Sequence, residues 1–185
     1  MNFDFSDEQK ALQSEVQRFL AGRSDLSVAR AVLDDASMSH SEAVWQEMLD
    51  LGWAGIAIPE QYGGVGLGYL ELCVMAQELG RSLAPVPFSS TVYQFCEAVL
   101  RAGNEEQRYA VLAGVTAGET IGTLAFAEGM GFPAPDRIKL RCEQGRLHGE
   151  KWPVPDAMIA DAAVVLAVNE SNEPCLCLVN LAQDG

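Results

Sequence analysis

The spacing of apolar residues changes once along this chain, near Gly118, and that change demands two kinds of structure in one molecule. From Ser6 to Gly118 the apolar residues recur at helical spacing, and beyond it they alternate with a period of two. Ser6-Asp7-Glu8-Gln9 has the form of a capping box, in which hydroxyl and amide satisfy orphaned backbone N–H groups. Leu12, Val16, Phe19 and Leu20 then form one apolar stripe. A second helix is expected to open at Ser39-His40-Ser41-Glu42, to carry Val44, Trp45, Met48 and Leu51, and to end at Gly52. A third is expected from Tyr69 to Leu79, closed by Gly80. Pro85 and Pro87 forbid continuation, a further helical stretch runs from Ser90 to Arg101, and Asn104-Glu105-Glu106-Gln107 begins the last helix.

Past Gly118, Ile121 to Ala127 reads as a strand, and Arg137 to Cys142 alternates charged with apolar residues as a half-buried strand should. Gln144-Gly145 turns the chain into residues 146–149. The segments Ala162–Val168 and Cys175–Leu181 flank a turn-rich stretch and read as a second hairpin. The fold class expected is α+β: an N-terminal helical bundle over residues 1–118, followed by an incomplete antiparallel β-barrel-like domain over 119–185. An open apolar sheet edge has to be covered, so completion by other segments or by another subunit is expected.

A chain that is 49% hydrophobic and 21% charged has the composition of an ordinary soluble globular protein. No apolar run approaches the roughly 20 residues that span a bilayer. The start, Met1 to Phe5, is acidic and leads directly into an amphipathic pattern, which fits neither a secretory nor a transit peptide. A cytoplasmic protein without membrane insertion is expected. The net charge of −14, acidic on both sides of Gly118, excludes nucleic acid as a partner. A small anionic ligand would need a local cluster of cations, for which Arg81 and Arg101 are candidates beside their plainer reading as solvated surface charge.

The five cysteines and two histidines lack disulfide or metal-ligand spacing. Gly63-Gly64-Val65-Gly66 suggests a phosphate loop only superficially: it lacks the Lys-Ser/Thr of a P-loop, and a tight turn needing positive φ is the simpler reading. Phe88, Thr91, Val92, Tyr93 and Phe95 fit either the wall of an acyl pocket or plain helical core.

Leu51-Gly52-Trp53, Ile58-Pro-Glu-Gln-Tyr-Gly-Gly-Val-Gly-Leu67, Glu78-Leu-Gly-Arg-Ser-Leu-Ala-Pro-Val-Pro87, Gly118-Glu119 and Ala125-Phe-Ala-Glu128 occur in an order that resembles acyl-CoA dehydrogenases. The resemblance is collinear over essentially the whole chain. It implies the N-terminal helical domain and early middle β domain of a flavoprotein that assembles as homo- or hetero-oligomers around FAD, its C-terminal four-helix domain lying outside these residues. The implied reaction is α,β-desaturation of an acyl-CoA thioester: a carboxylate base removes a proton next to the thioester, and a hydride passes to the flavin. That base belongs to the C-terminal domain, so no residue here is a catalytic candidate.

The cofactor-facing positions implied by the resemblance are Phe126, Ala127, Pro153, Val154 and Pro155. The family's Thr-Glu-Pro and Gly-Ser-Asp stretch corresponds to Ala127-Glu128-Gly129-Met130-Gly131-Phe132-Pro133-Ala134: Glu128 matches, the Thr is Ala127, and the Gly-Ser-Asp loop is not recognisable. In Gly149-Glu-Lys151-Trp152-Pro153-Val154-Pro155…Ala160-Asp161, Pro153 replaces an aromatic and Pro155 a hydroxyl. Two motifs that lose polar groups together imply the degenerate half of a heteromeric dehydrogenase, with FAD bound alongside a partner subunit; the plainer reading is tolerance, in which the fold's backbone contacts hold FAD on this chain without those side chains. The alternative is a non-catalytic structural subunit of the same fold.

Overall fold

A computed structural model describes residues 4–131 and 137–182. The chain divides into two compact units, Met1–Pro87 and Phe88–Gly185.

The first unit holds helices α1 (Asp7–Arg23), α2 (Leu26–Asp34), α3 (Glu42–Asp50) and α4 (Tyr69–Ser82). Ser6 and Gln9 form the expected capping box at the start of α1. α3 is capped by Ser41, whose backbone N–H also donates to the Pro85 carbonyl at 2.8 Å, so the chain beyond α4 is tied to the start of α3. α1 and α4 pack through Val16, Leu20, Val74, Met75 and Leu79. Glu78, only 1% exposed, accepts hydrogen bonds from Gln13 and Gln17 at 2.9 Å each and from Arg81 at 2.7 Å. A carboxylate with three donors is satisfied although buried, which is the condition for placing it there.

The glycine-rich bend is structural. The backbone N–H groups of residues 63–67 all donate to carbonyls between Gly55 and Glu60. A Cβ on Gly64 would fall on the Ile58 carbonyl, and Gly63 adopts φ +85°. With its donors used internally, the bend has none to offer an anion.

In the second unit a wide, π-type helical stretch, Ser89–Cys96, runs on into α5 (Glu97–Ala102), followed by α6 (Glu105–Thr116), which Asn104 and Gln107 cap. The strands are β1 (Gly122–Ala125), β2 (Arg141–Glu143), β3 (Arg146–His148), β4 (Ala162–Val168) and β5 (Pro174–Asn180). β4 is buried along its whole length and pairs with β5 on one edge and with β1, then β2, on the other. Its unbroken Ala-Ala-Val-Val-Leu-Ala-Val run suits a strand covered on both faces. One face joins Ala125, Leu140, Ala163, Val165 and Ala167 in a core that Cys142, Cys175 and Cys177 border. Burial and the neighbouring thiols of Cys142 and Cys175 push Cys177 up to about 12, which keeps it protonated and inert.

The helical bundle and unclosed sheet expected from the sequence are present, with the antiparallel pairing confined to the two hairpins, β2–β3 and β4–β5. β1 lies parallel to β4, and β2 touches β4 in parallel at Arg141 and Val168. The sheet is therefore mixed, because the chain crosses over between β1 and β4 instead of folding back at once. Phe88, Thr91, Val92 and Phe95 are buried, and the Phe95 ring occupies the space a Cβ on Gly122 would take. Among the described residues no helix is long and apolar enough to cross a membrane.

Candidate functional site

The two segments that carry the expected cofactor positions are separated in sequence and adjacent in the structure. The Trp152 N–H donates to the Ala127 carbonyl at 2.9 Å, and the Gly129 N–H donates to the Trp152 carbonyl at 2.8 Å. These bonds make an isolated parallel bridge between Glu128 and Trp152 beyond the end of β1.

Under that bridge lies a buried ion pair. Lys151 Nζ is 2.7 Å from Glu128 Oε1, the two side chains being 5% and 12% exposed, and it also donates to the Phe126 carbonyl at 3.4 Å. Glu128 accepts in addition from the backbone N–H groups of Lys139 at 2.7 Å and Leu140 at 2.8 Å. Burial pushes the Glu128 carboxyl up, but the Lys151 contact and the two backbone donors outweigh it and hold the group below its ordinary value. The same bonds explain why the strand expected from Arg137 to Cys142 pairs only at residues 141–143. Its early donors are committed to a carboxylate and not to a neighbouring strand.

The far end of the second segment is anchored separately. Thr123 Oγ1 donates to the Pro155 carbonyl at 2.6 Å, and Ser90 Oγ donates to Asp156 Oδ2 at 2.6 Å. Thr91 Oγ1 lies 3.3 Å from both the carbonyl and the N–H of Gly122. Ser90, Thr91 and Thr123 are buried; the segment they hold is not.

The expected positions are thus brought into one place, with a distinct character. Phe126 and Ala127 are half-buried just past β1, Val154 is half-buried, and Pro153 and Pro155 are exposed. Trp152 is 54% exposed, and its ring passes beside Gly129. None of Ala127, Pro153, Val154 and Pro155 carries a side-chain hydrogen-bonding group, the two prolines lack an N–H, and the Ala127 and Pro155 carbonyls are already bonded. The site offers a ring, apolar edges and a fixed backbone. That frame fits one face of a planar cofactor, whereas the polar complement of such a group is missing from these side chains. Phe132, Pro133 and Ala134, the end of the first motif, lie outside the described residues.

Arg81 and Arg101 are engaged with Glu78 at 2.7 Å and Glu97 at 2.6 Å. Ser90, Thr123 and Asp156 were not legible as site residues, because each bond joins positions far apart in sequence, 66 residues in one case and 32 in the other.

Residues 6–119 match the family model described as acyl-CoA dehydrogenase, N-terminal domain. A mitochondrial isovaleryl-CoA dehydrogenase of Pongo abelii is 31% identical over 169 residues, covering 88% of this chain and 40% of that protein. Among solved structures, the ChsE4-ChsE5 complex from Mycobacterium tuberculosis superposes with a TM-score of 0.86 at 26% identity over 100% of this chain and 50% of that one. A steroid ACAD variant named for two paired components gives 0.81 at 32% identity, covering 95% and 48%. An acyl-CoA dehydrogenase from Bacillus anthracis complexed with FAD shares the fold, with a TM-score of 0.84 at 23% identity over 98% of this chain and 32% of that one. The chain spans about two fifths of the length of the curated relatives it matches, 40% in the first case. Because the matched domain model covers residues 6–119, more than half of the chain and every helix described above, the chain belongs to the acyl-CoA dehydrogenase family.

Proposed function

We propose that this chain is part of a subunit of a flavin-dependent acyl-CoA dehydrogenase, that it is the degenerate half of a heteromeric complex, and that the complex desaturates an acyl-CoA thioester between its α and β carbons. Residues 1–118 form the helical domain of that subunit and 119–185 the start of its β domain. The observation that carries the reading is the contrast within one site. The backbone bridge between Ala127 and Trp152 and the buried Glu128–Lys151 pair hold the two cofactor-facing segments together, yet no side chain at Ala127, Pro153, Val154 or Pro155 can hydrogen-bond to a flavin.

In this reading Trp152, Pro153 and Val154 form an apolar wall, and Phe126 and Ala127 lie beside it. They exclude water from one face of the ring system, where exclusion strengthens every electrostatic contact made from the other side. FAD would accept the hydride, and its polar contacts would come from a partner subunit with intact motifs. The pairing of components in two of the structural relatives supports an assembly of this kind. This chain's own contribution is shape and a fixed backbone, and the proton-abstracting base is supplied from outside it.

Turnover tests the proposal. The protein alone, and the protein co-expressed with an acyl-CoA dehydrogenase-like partner, are assayed for acyl-CoA oxidation with a dye acceptor. Activity in the mixture alone is expected. Activity of the isolated protein would contradict the degenerate-half reading, and a stable mixed complex no more active than its partner would favour the purely structural subunit.

A further inference from the structure

Three hydroxyls buried to about the last per cent, those of Ser90, Thr91 and Thr123, converge on β1 and on the corner at residues 155–156. At that corner Asp156 takes φ +50°, in the left-handed region where a non-glycine residue is uncommon and where Asp and Asn are the side chains best tolerated. Its carboxylate accepts from Ser90 at 2.6 Å while its carbonyl accepts from the Ile159 N–H at 3.1 Å, so both polar ends of the residue are committed. The wide turn of the π-type stretch delivers Ser90 to this point, a geometry that recurs at functional sites.

The exposed stretch Trp152–Pro155 is therefore clamped at both ends. At its start stand the Lys151–Glu128 pair and the bridge to Ala127; at its end stand Thr123 and the Ser90–Asp156 bond. Fixing an exposed segment in one conformation costs conformational entropy, and loops positioned on a rigid scaffold in this way are where binding residues concentrate. Within the stretch only the Trp152 indole N–H is a polar side-chain group, and the two prolines lack a backbone N–H, so the bonds at its two ends are what give it a defined shape.

The geometry points to Ser90 and Asp156 as positioning residues: their hydrogen bond sets the corner at 155–156, and through it the placement of the Trp152 ring and Val154 against the face of a planar heteroaromatic cofactor. This inference deepens the flavin reading and rests on it. The bond acts through the segment and does not touch the reacting atoms.

The test uses Ser90→Ala, Asp156→Ala, the double variant and Asp156→Asn, with three readouts. The first is acrylamide quenching of tryptophan fluorescence in the protein alone. Of its three tryptophans, Trp45 and Trp53 are buried and Trp152 is half exposed, so quenchable emission reports Trp152. The second is FAD affinity of the complex with its partner, and the third is the unfolding midpoint.

Ser90→Ala and Asp156→Ala are each expected to change the quenching slope and to weaken FAD binding on the order of tenfold, the affinity equivalent of losing about one hydrogen bond. The double variant should be no worse than either single one, and Asp156→Asn, which tolerates the same φ and keeps an acceptor oxygen, should restore both readouts. A merely structural role would lower the midpoint and leave the quenching slope and affinity of the folded variants alone, and that result overturns the proposal. Altered quenching with unchanged FAD affinity overturns it as well. Altered quenching with no FAD bound by any form, wild type included, supports the clamp on Trp152 and contradicts the flavin reading instead. Unaltered quenching with FAD bound equally by every variant removes the clamp and leaves the flavin reading standing.

Discussion

Glu128 and Lys151 show how a single buried pair fixes the site's geometry. The carboxylate has the ammonium group and two backbone N–H groups around it, so it is compensated in the way a buried charge must be. Glu128→Gln leaves Lys151 buried without its counter-charge, and it should lower stability by about 3–5 kcal/mol in denaturant unfolding. The pH dependence follows from the same contacts. For both Glu128 and Glu78 burial raises the pKa, but hydrogen bonds and the nearby Lys151 or Arg81 outweigh it, so each folded-state value lies below the ordinary 4.5. A depressed carboxylate contributes stability that is present above its unfolded pKa and lost as pH falls through the folded one. The unfolding midpoint should therefore drop as pH falls below about 4.5, and Glu78→Gln should flatten that drop while lowering the midpoint at neutral pH. At this scale the sequence showed Glu128 and Lys151 as motif residues but not as partners of each other, since nothing local announces a contact between residues 23 apart.

At the scale of elements, local chemistry was readable and long-range chemistry was not. The capping boxes at Ser6 and Asn104 marked real helix starts because a cap satisfies its donors within four residues. α2 escaped notice, although Asp25 caps it through the Ser27 N–H, because it buries none of its residues and Leu33 faces solvent. α4 runs past Gly80 to Ser82, where Leu83 at φ +52° ends it, so the glycine was a helical residue and not the terminator. β2 is shorter than its alternation suggested because Glu128 takes the Lys139 and Leu140 donors. The approach of β1 to the π-type stretch has its own test. A Cβ on Gly122 would lie 2.1 Å from the Phe95 ring, and Phe95 is fully buried. Gly122→Ala should cost about 1–3 kcal/mol through overpacking, read as a shift in the denaturant midpoint without a change in slope. Pairing Gly122→Ala with Phe95→Leu should recover part of the loss.

For the whole molecule, the resemblance visible in Ile58-Pro-Glu-Gln-Tyr-Gly-Gly-Val-Gly-Leu67 and its neighbours led to the family that the domain match and the superpositions show. Within that motif the glycines are constrained individually: a Cβ on Gly64 would fall on the Ile58 carbonyl, and Gly63 and Gly66 take positive φ, so side chains at these positions would strain the bend. At the candidate cofactor positions the backbone is held through the Ala127 and Pro155 carbonyls, while the side chains of Ala127, Pro153 and Pro155 carry no polar group. If the lack of polar groups at these positions makes the chain depend on a partner, as proposed, supplying them should reduce the dependence. Ala127→Thr combined with Pro153→Trp is expected to raise flavin occupancy of the isolated protein from near none to a measurable fraction. Unchanged occupancy would mean that these positions do not govern cofactor retention. The central claim is tested most directly by the flavin content per subunit, taken from visible absorbance, of the protein purified alone and of its complex with an acyl-CoA dehydrogenase-like partner. The account predicts a colourless protein alone and a yellow complex; a yellow protein purified alone, with flavin stoichiometric to the chain, would contradict it.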